Sequence, residues 1–156
     1  MTLIGVISDT HGLLRPEAVQ ALRGCIAIIH AGDVGQLAIL DTLRGIAPVV
    51  AAVRGNIDRG EEFAILPERA TVTIEGHRIC VLHDLAQFDE DAVAERYSAV
   101  ITGHSHVPKI ESRDGVLFLN PGSAGPRRFK LPITLAHLTV VNGRLQARLV
   151  DLSCEG

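Results

Sequence analysis

Short apolar runs that stop at polar turns recur along the 156 residues, and they change style midway. Leu3–Ser8 reads as a buried strand, Ile26–His30 as a second and Val49–Val53 as a third. Between the first two, Pro16–Arg23 opens on a proline, which suits a first helical turn because the missing N–H has no intrahelical partner there. Leu37–Leu43 then places apolar residues at helical spacing. Strand, helix, strand, helix, strand predicts a parallel sheet with right-handed crossovers.

The second half alternates differently. Ala70–Glu75 sets Val72 and Ile74 against polar neighbours, Gly76-His77 reads as a turn, and Arg78–His83 returns as a strand. Asp89, Glu90 and Asp91 favour a helix N-terminus, so Asp89–Arg96 is expected to be helical. Ala99–Thr102 is a short strand. Lys109–Arg113 and Val116–Leu119 flank Asp114-Gly115, while Thr134–Val141 and Arg144–Leu152 flank Asn142-Gly143. Both dipeptides are strong two-residue hairpin signals. A parallel first half and an increasingly antiparallel second half predict an α/β fold with several hairpins.

Apolar residues make up 47% of the sequence and aromatics 3%, so Val, Ile, Leu and Ala must build the core, as in buried strands under helices. The length suits one domain over residues 1–156. A net charge of −3 with no long basic run argues against extended nucleic-acid binding. Cys25, Cys80 and Cys154 form no C-x-x-C pair, which predicts buried free thiols in a reducing compartment. The start of the chain lacks the basic lead of a signal peptide, and no apolar run approaches the about 20 residues of a membrane helix. A cytoplasmic protein without membrane contact is expected.

Five of the polar turns carry side chains that ligate metals. They are Ser8-Asp9-Thr10-His11-Gly12, Gly32-Asp33-Val34-Gly35, Gly55-Asn56-Ile57-Asp58, Leu82-His83-Asp84 and Gly103-His104-Ser105-His106. Carboxylate, imidazole and one amide oxygen suit hard and borderline divalent cations. In extended backbone Asp9 and His11 leave the same face and can converge on one ion, and His104 and His106 repeat that spacing. Asp33 has two carboxylate oxygens and could bridge two ions about 3.5–4 Å apart. Any one of these residues alone would pass as a turn former, but a structural account of all seven needs that coincidence at five sites.

In this order the segments resemble the calcineurin-like metallophosphoesterase superfamily, whose fingerprint runs D-x-H, G-D-x-x, G-N-x-x, H and G-H-x-H. Within it, the chain is most similar to the small single-domain phosphodiesterases of bacterial and archaeal type. The likeness runs from about Leu3 to Ser123 and takes in Asn120-Pro121-Gly122-Ser123. It implies an αββα four-layer sandwich of two mixed β-sheets flanked by helices. It further implies that Asp9, His11, Asp33 and His106 hold one divalent ion, and Asp33, Asn56, His83 and His104 a second. Mn²⁺ is favoured, with Ni²⁺, Fe²⁺ or Zn²⁺ also suited. A hydroxide bridging the two ions would attack a small phosphodiester substrate, with Asp33 and His104 as catalytic residues.

Two positions depart from the broad pattern. Many members carry His after the Asn of the G-N motif, as a proton donor to the leaving group; here it is Ile57. The small phosphodiesterases commonly lack that His too. The general acid is therefore unassigned, with Asp58 the one neighbour of suitable chemistry. His83 is followed by Asp84 rather than the usual Gly, which either tightens the turn or orients an imidazole. His30, as a half-buried strand-end residue, and His77 and His137 are read as structural or surface groups, although His30 could also support the site. Asn120–Gly125 is rich in turn formers and reads as a loop, and Arg127, Arg128 and Lys130 after it either position phosphate oxygens or form a solvated charge run. The substrate-binding residues stay unassigned, and a homodimer is open. The rival reading is a non-catalytic scaffold of the same fold, like the retromer subunit with its degraded metal site. The full ligand set here favours an enzyme.

Overall fold

Among the described residues, hydrogen bonding sorts ten strands, at the positions the pattern predicts, into two five-stranded sheets. The computed structural model describes residues 2–89 and 96–153. The first sheet runs β10 (Arg144–Asp151), β9 (Thr134–Val141), β1 (Thr2–Ile7), β2 (Ala27–His30) and β3 (Val49–Ala52). Its β1, β2 and β3 are parallel, with Ile7 opposite His30 and His30 opposite Ala52. The last hairpin of the chain returns to this sheet, β9 lying antiparallel to β1.

The second sheet runs β4 (Arg69–Ile74), β5 (His77–Leu82), β6 (Ala99–Ile101), β8 (Val116–Asn120) and β7 (Lys109–Arg113). The antiparallel pairing expected for the second half is met by β9 and β10, but within this sheet it is confined to the edges. Strands β5, β6 and β8 are parallel to one another. Hairpins supply the edge strands β4 and β7. The first hairpin also turns one residue earlier than expected, at Glu75-Gly76, and His77 already pairs with Ile74. Both turn residues have positive φ, at 49° and 81°, as do Asp114-Gly115 and Asn142-Gly143. That is the two-residue turn that matches strand twist, and a glutamate there gives a weaker signal than Asn or Asp.

Alternation along the strands sets the layers. Ile4, Val6, Ala27 and Ile29 of the first sheet meet Ile79, Val81, Ala99, Ile101 and Leu119 of the second in one cluster between the sheets. Each fully buried Ile or Leu there contributes roughly 1.5–3 kcal/mol relative to exposure. The opposite face of the first sheet, with Ile7, Ile28 and Leu135, is covered by α1 (Pro16–Leu22) and α2 (Ala38–Arg44) through Ala18, Leu22, Ile39, Leu40 and Leu43. The outer face of the second sheet carries Cys80, Val100 and Phe118 under Phe88 and Tyr97. The helix expected at Asp89–Arg96 falls on residues 90–95, outside the described residues, as does Cys154. Cys25 and Cys80 are buried and not in disulfides, and burial pushes the Cys25 thiol up. No helix among the described residues is long and apolar enough to cross a membrane.

The parallel strands of both sheets end at the same side of the sandwich. Asp9 follows β1, Asp33 follows β2, Asn56 follows β3, His83 follows β5, and His104 and His106 follow β6. Parallel sheets gather functional groups beyond the carboxyl ends of their strands for this reason.

Candidate metal centre

Left-handed backbone shapes the site more than extended backbone does. Asp9, His11, Asp33, His104 and His106 have φ of 55°, 47°, 54°, 71° and 64°. The convergence of Asp9 and His11 expected from extended backbone is thus produced by a tight turn. Non-glycine residues adopt this conformation at a cost, and such strain concentrates at functional sites. The glycines in the motifs serve close approach. A Cβ on Gly55 would lie 2.2 Å from Asp33 Oδ1, and one on Gly103 would lie 2.1 Å from Ser8 Oγ and 2.6 Å from Asp9 Oδ2. Only a hydrogen at these positions lets the loops close around the carboxylates.

Five candidate ligands meet in the centre. Asp33 Oδ2 lies 3.4 Å from His11 Nε2 and 3.2 Å from His83 Nε2. Asp9 Oδ1 lies 3.4 Å from His106 Nε2, 3.7 Å from His11 Nε2 and 3.8 Å from His83 Nε2. Two sets of donors are therefore close enough to share an ion, Asp9 with His11 and His106, and Asp9 with Asp33 and His83. Asp9 is common to both sets, while Asp33 Oδ2 reaches His11 of the first and His83 of the second.

Asp9, Asp33 and His83 are each held by one side-chain atom, which aims the other at the centre. Asp9 Oδ2 accepts from Ser8 Oγ at 2.6 Å and from the His104 N–H at 3.1 Å. Asp33 Oδ1 accepts from the Ile57 N–H. His83 Nδ1 donates to the Ala31 carbonyl at 2.8 Å, which leaves Nε2 as a lone-pair donor. Asp9 Oδ1, His11 Nε2 and His83 Nε2 are buried without a hydrogen-bond partner. Buried polar atoms are almost always satisfied, so a converging group of unsatisfied lone pairs fits a cation. Oxygen and imidazole nitrogen are the right donors for the divalent ions expected here.

The carboxylates and imidazoles of the centre shift one another's protonation in different directions. Burial alone would raise the Asp33 carboxyl, but the His83 imidazole, the Ile57 N–H and the nearby His11 outweigh it and hold Asp33 at about 2. Burial would lower His83, yet the Asp33 and Asp9 carboxylates and the Ala31 carbonyl raise it above its usual value. His106 is pushed down, first by burial and then by Arg128 and His11, against the pull of Asp9.

Asn56 and His104 lie at the rim. The His104 side chain is 47% exposed, with Nδ1 3.3 Å from Asn56 Oδ1 and Nε2 4.0 Å from Asp84 Oδ2. Although His104 and His106 share the spacing of Asp9 and His11, one ring stays at the surface and the other turns inward. Asp84 also accepts the Ala86 N–H, so it tightens the turn as one sequence reading held.

Three supporting groups were hidden in the sequence. Asp58 is buried, and its two oxygens accept the N–H groups of Val34, Gly35 and Gly55. It ties the loop carrying Asp33 to the loop carrying Asn56 and has no oxygen turned towards a leaving group, contrary to its reading as a candidate acid. His30 is fully buried rather than half-buried, and burial holds it neutral with a pKa of about 4. The Gly32 N–H donates to His30 Nδ1, so Nε2 carries the proton and faces Thr10 Oγ1 at 3.0 Å. The Asn120–Gly125 loop is a clasp. Asn120 Nδ2 donates to Gly103 O and Ser105 Oγ, Ser123 Oγ to Asp9 O, and the Ala124 N–H to Ser8 O. Turn formers at these positions gave no sign of the contacts, which exist only once β8 lies beside β6.

The sequence model of the calcineurin-like phosphoesterase superfamily domain matches residues 2–143. This chain belongs to that superfamily. A "Probable metallophosphoesterase" of Methanocaldococcus jannaschii is 36% identical over 163 aligned positions, which take in 96% of this chain and 81% of the relative. A phosphodiesterase of the same organism is 28% identical, covering 76% of this chain and 82% of its own. Among solved structures, Vps29 of Chaetomium thermophilum superposes with a TM-score of 0.78 over 97% of each chain at 22% identity, which shows a shared calcineurin-like fold. As a superfamily member the chain is a phosphoesterase by descent, and its donor groups suit divalent metal ions.

Proposed function

We propose that this phosphoesterase hydrolyses small phosphodiesters at a centre of two divalent ions, with Mn²⁺ the favoured metal. The observation that carries the reading is the convergence of Asp9 Oδ1, His11 Nε2 and His83 Nε2, buried and without hydrogen-bond partners, around Asp33 Oδ2. In this reading Asp9, His11, Asp33 and His106 hold one ion and Asp33, Asn56, His83 and His104 the other. When bound, the ions supply Lewis-acid charge to the phosphoryl oxygens and acidify water towards neutral pH.

The chain's own residues set the conditions for that chemistry. Ser8 and the His104 N–H hold Asp9 Oδ2 so that Oδ1 faces the centre, and the Ile57 N–H does the same for Asp33. The Ala31 carbonyl fixes the His83 tautomer. His104, half-exposed beside Asn56, would meet the phosphoryl group as it enters. Ile57 puts no proton donor beside the leaving group, so esters of acidic alcohols should react best.

Metal-reconstituted protein should hydrolyse aryl phosphodiesters faster than aryl phosphomonoesters, with rates falling steeply as leaving-group pKa rises. A flat series would mean an overlooked proton donor or a rate-limiting step other than the chemistry. The likeness to Vps29 keeps a scaffold role as the alternative, and that role predicts metal uptake with no turnover of any diester.

A further inference from the structure

Two cavities flank the Asp84–His104 pair. One, of about 130 Å³, is lined by three of the candidate ligands, Asn56, His83 and His104. The other, of about 250 Å³, lies on the far side of His104 above the outer face of the second sheet. Asp84 and His104 line both, so the two cavities adjoin at this pair.

The larger cavity has the wrong chemistry for a second phosphate and the right chemistry for a flat, uncharged group. Its apolar lining includes Leu85, Val107 and Phe118. Leu85 and Val107 are 41% and 45% exposed. Scattered apolar residues at a surface need no explanation, but two that open into one cavity with an aromatic ring form a hydrophobic recess. The cations at its border are already engaged. Lys109 Nζ lies 3.2 Å from Glu111, and the Arg113 guanidinium sits 4.0 Å over the Phe118 ring with Nε 3.8 Å from the same Glu111. The guanidinium plane and the aliphatic walls favour a ring that stacks and buries carbon. The volume is below the range of whole drug-sized ligands and suits one ring system.

We propose that this cavity binds an aromatic or heteroaromatic group esterified to the phosphate held at the metal centre. The proposal rests on the phosphodiesterase reading above and narrows its substrates to diesters with such a group.

The test is equilibrium binding, read by calorimetry and by the methyl NMR signals of Leu85 and Val107, with Zn²⁺-loaded protein. The probes are methyl phenylphosphonate and methyl methylphosphonate, which share the anionic centre and differ only in the ring. The phenyl compound should bind about tenfold more tightly, as partial burial of one ring implies, and should shift the Leu85 and Val107 methyl signals. Leu85→Glu and Val107→Glu, made separately at exposed positions, should each reduce the phenyl compound to the affinity of the methyl compound. Equal affinity of the two probes for the wild type, or a preference that survives both variants, would overturn the cavity assignment while leaving the metal centre standing. Failure of both probes to bind would instead remove the metal-centre reading and this proposal with it.

Discussion

The two ends of the sandwich carry the same residue type put to opposite use. At the metal end, His11 and His83 bury a ring nitrogen that has no hydrogen-bond partner. Away from it, His77 Nδ1 pairs with Ser98 Oγ and Nε2 with the Gly143 carbonyl, both at 2.8 Å, joining a hairpin of one sheet to a turn of the other. His137 is similarly satisfied by Ala21 O at 2.7 Å and Arg148 Nη2 at 3.0 Å. Histidine count therefore says little about function. What separates the regions is an excess of lone pairs aimed at one point, which the fold could have satisfied internally and did not.

The largest effect should come from removing charge at that point. Asp33→Asn is expected to lower diesterase activity by more than about a hundredfold, beyond the 10–100-fold typical of losing an outer partner of a ligand. His83→Ala should lose less when Mn²⁺ is in excess, because mass action refills a weakened site. Activity against Mn²⁺ concentration, with thermal melts as the folding control, compares the two. Near-normal turnover by a folded Asp33→Asn protein would end the shared-carboxylate model.

A smaller loss is expected one step away from the metal. Asp58→Asn replaces an oxygen facing backbone N–H groups with an NH₂ group, so it should cost about 1–3 kcal/mol of stability. It should also weaken metal binding by about 10–100-fold. Metal titration and denaturant unfolding measure both. Unchanged metal affinity would show that the Asp33 loop holds its shape without the Asp58 tie.

The pH response should also differ between metal-free and loaded protein. His83 is raised above 6.5, so its contribution to metal-free stability is full below 6.5 and is lost as pH rises through the raised value. Asp33 contributes above 3.8, and that contribution is lost as pH falls towards about 2. Because metal must displace the His83 proton, affinity should increase with pH through the neutral range, with proton release on binding. Calorimetry in buffers of different ionisation enthalpy reads the released protons. No release at neutral pH would show that His83 is already neutral.

The smallest change is expected at the satisfied end. His77→Gln should cost about 0.5–1.5 kcal/mol, the usual net worth of a hydrogen bond, and leave metal affinity and turnover alone. A metal-binding defect in that variant would erase the distinction between the two ends.

The sequence by itself determined the strands, the two helices of the first half and the ordered ligand motifs, because apolar periodicity and metal-donor chemistry are local properties of the chain. Asp114-Gly115 and Asn142-Gly143 announced their turns for the same reason, and Glu75-Gly76 was misplaced by one residue because glutamate carries no such preference. Only the tertiary structure decided that β5, β6 and β8 run parallel, since strand direction depends on pairing between distant segments. Inter-loop distance likewise made Asp58 a backbone clamp, His30 a buried neutral brace and the Asn120–Gly125 loop a clasp. His104 and His106 are the same residue type and both take left-handed backbone, and only the folded loop shows that one ring lies at the rim and the other at the centre.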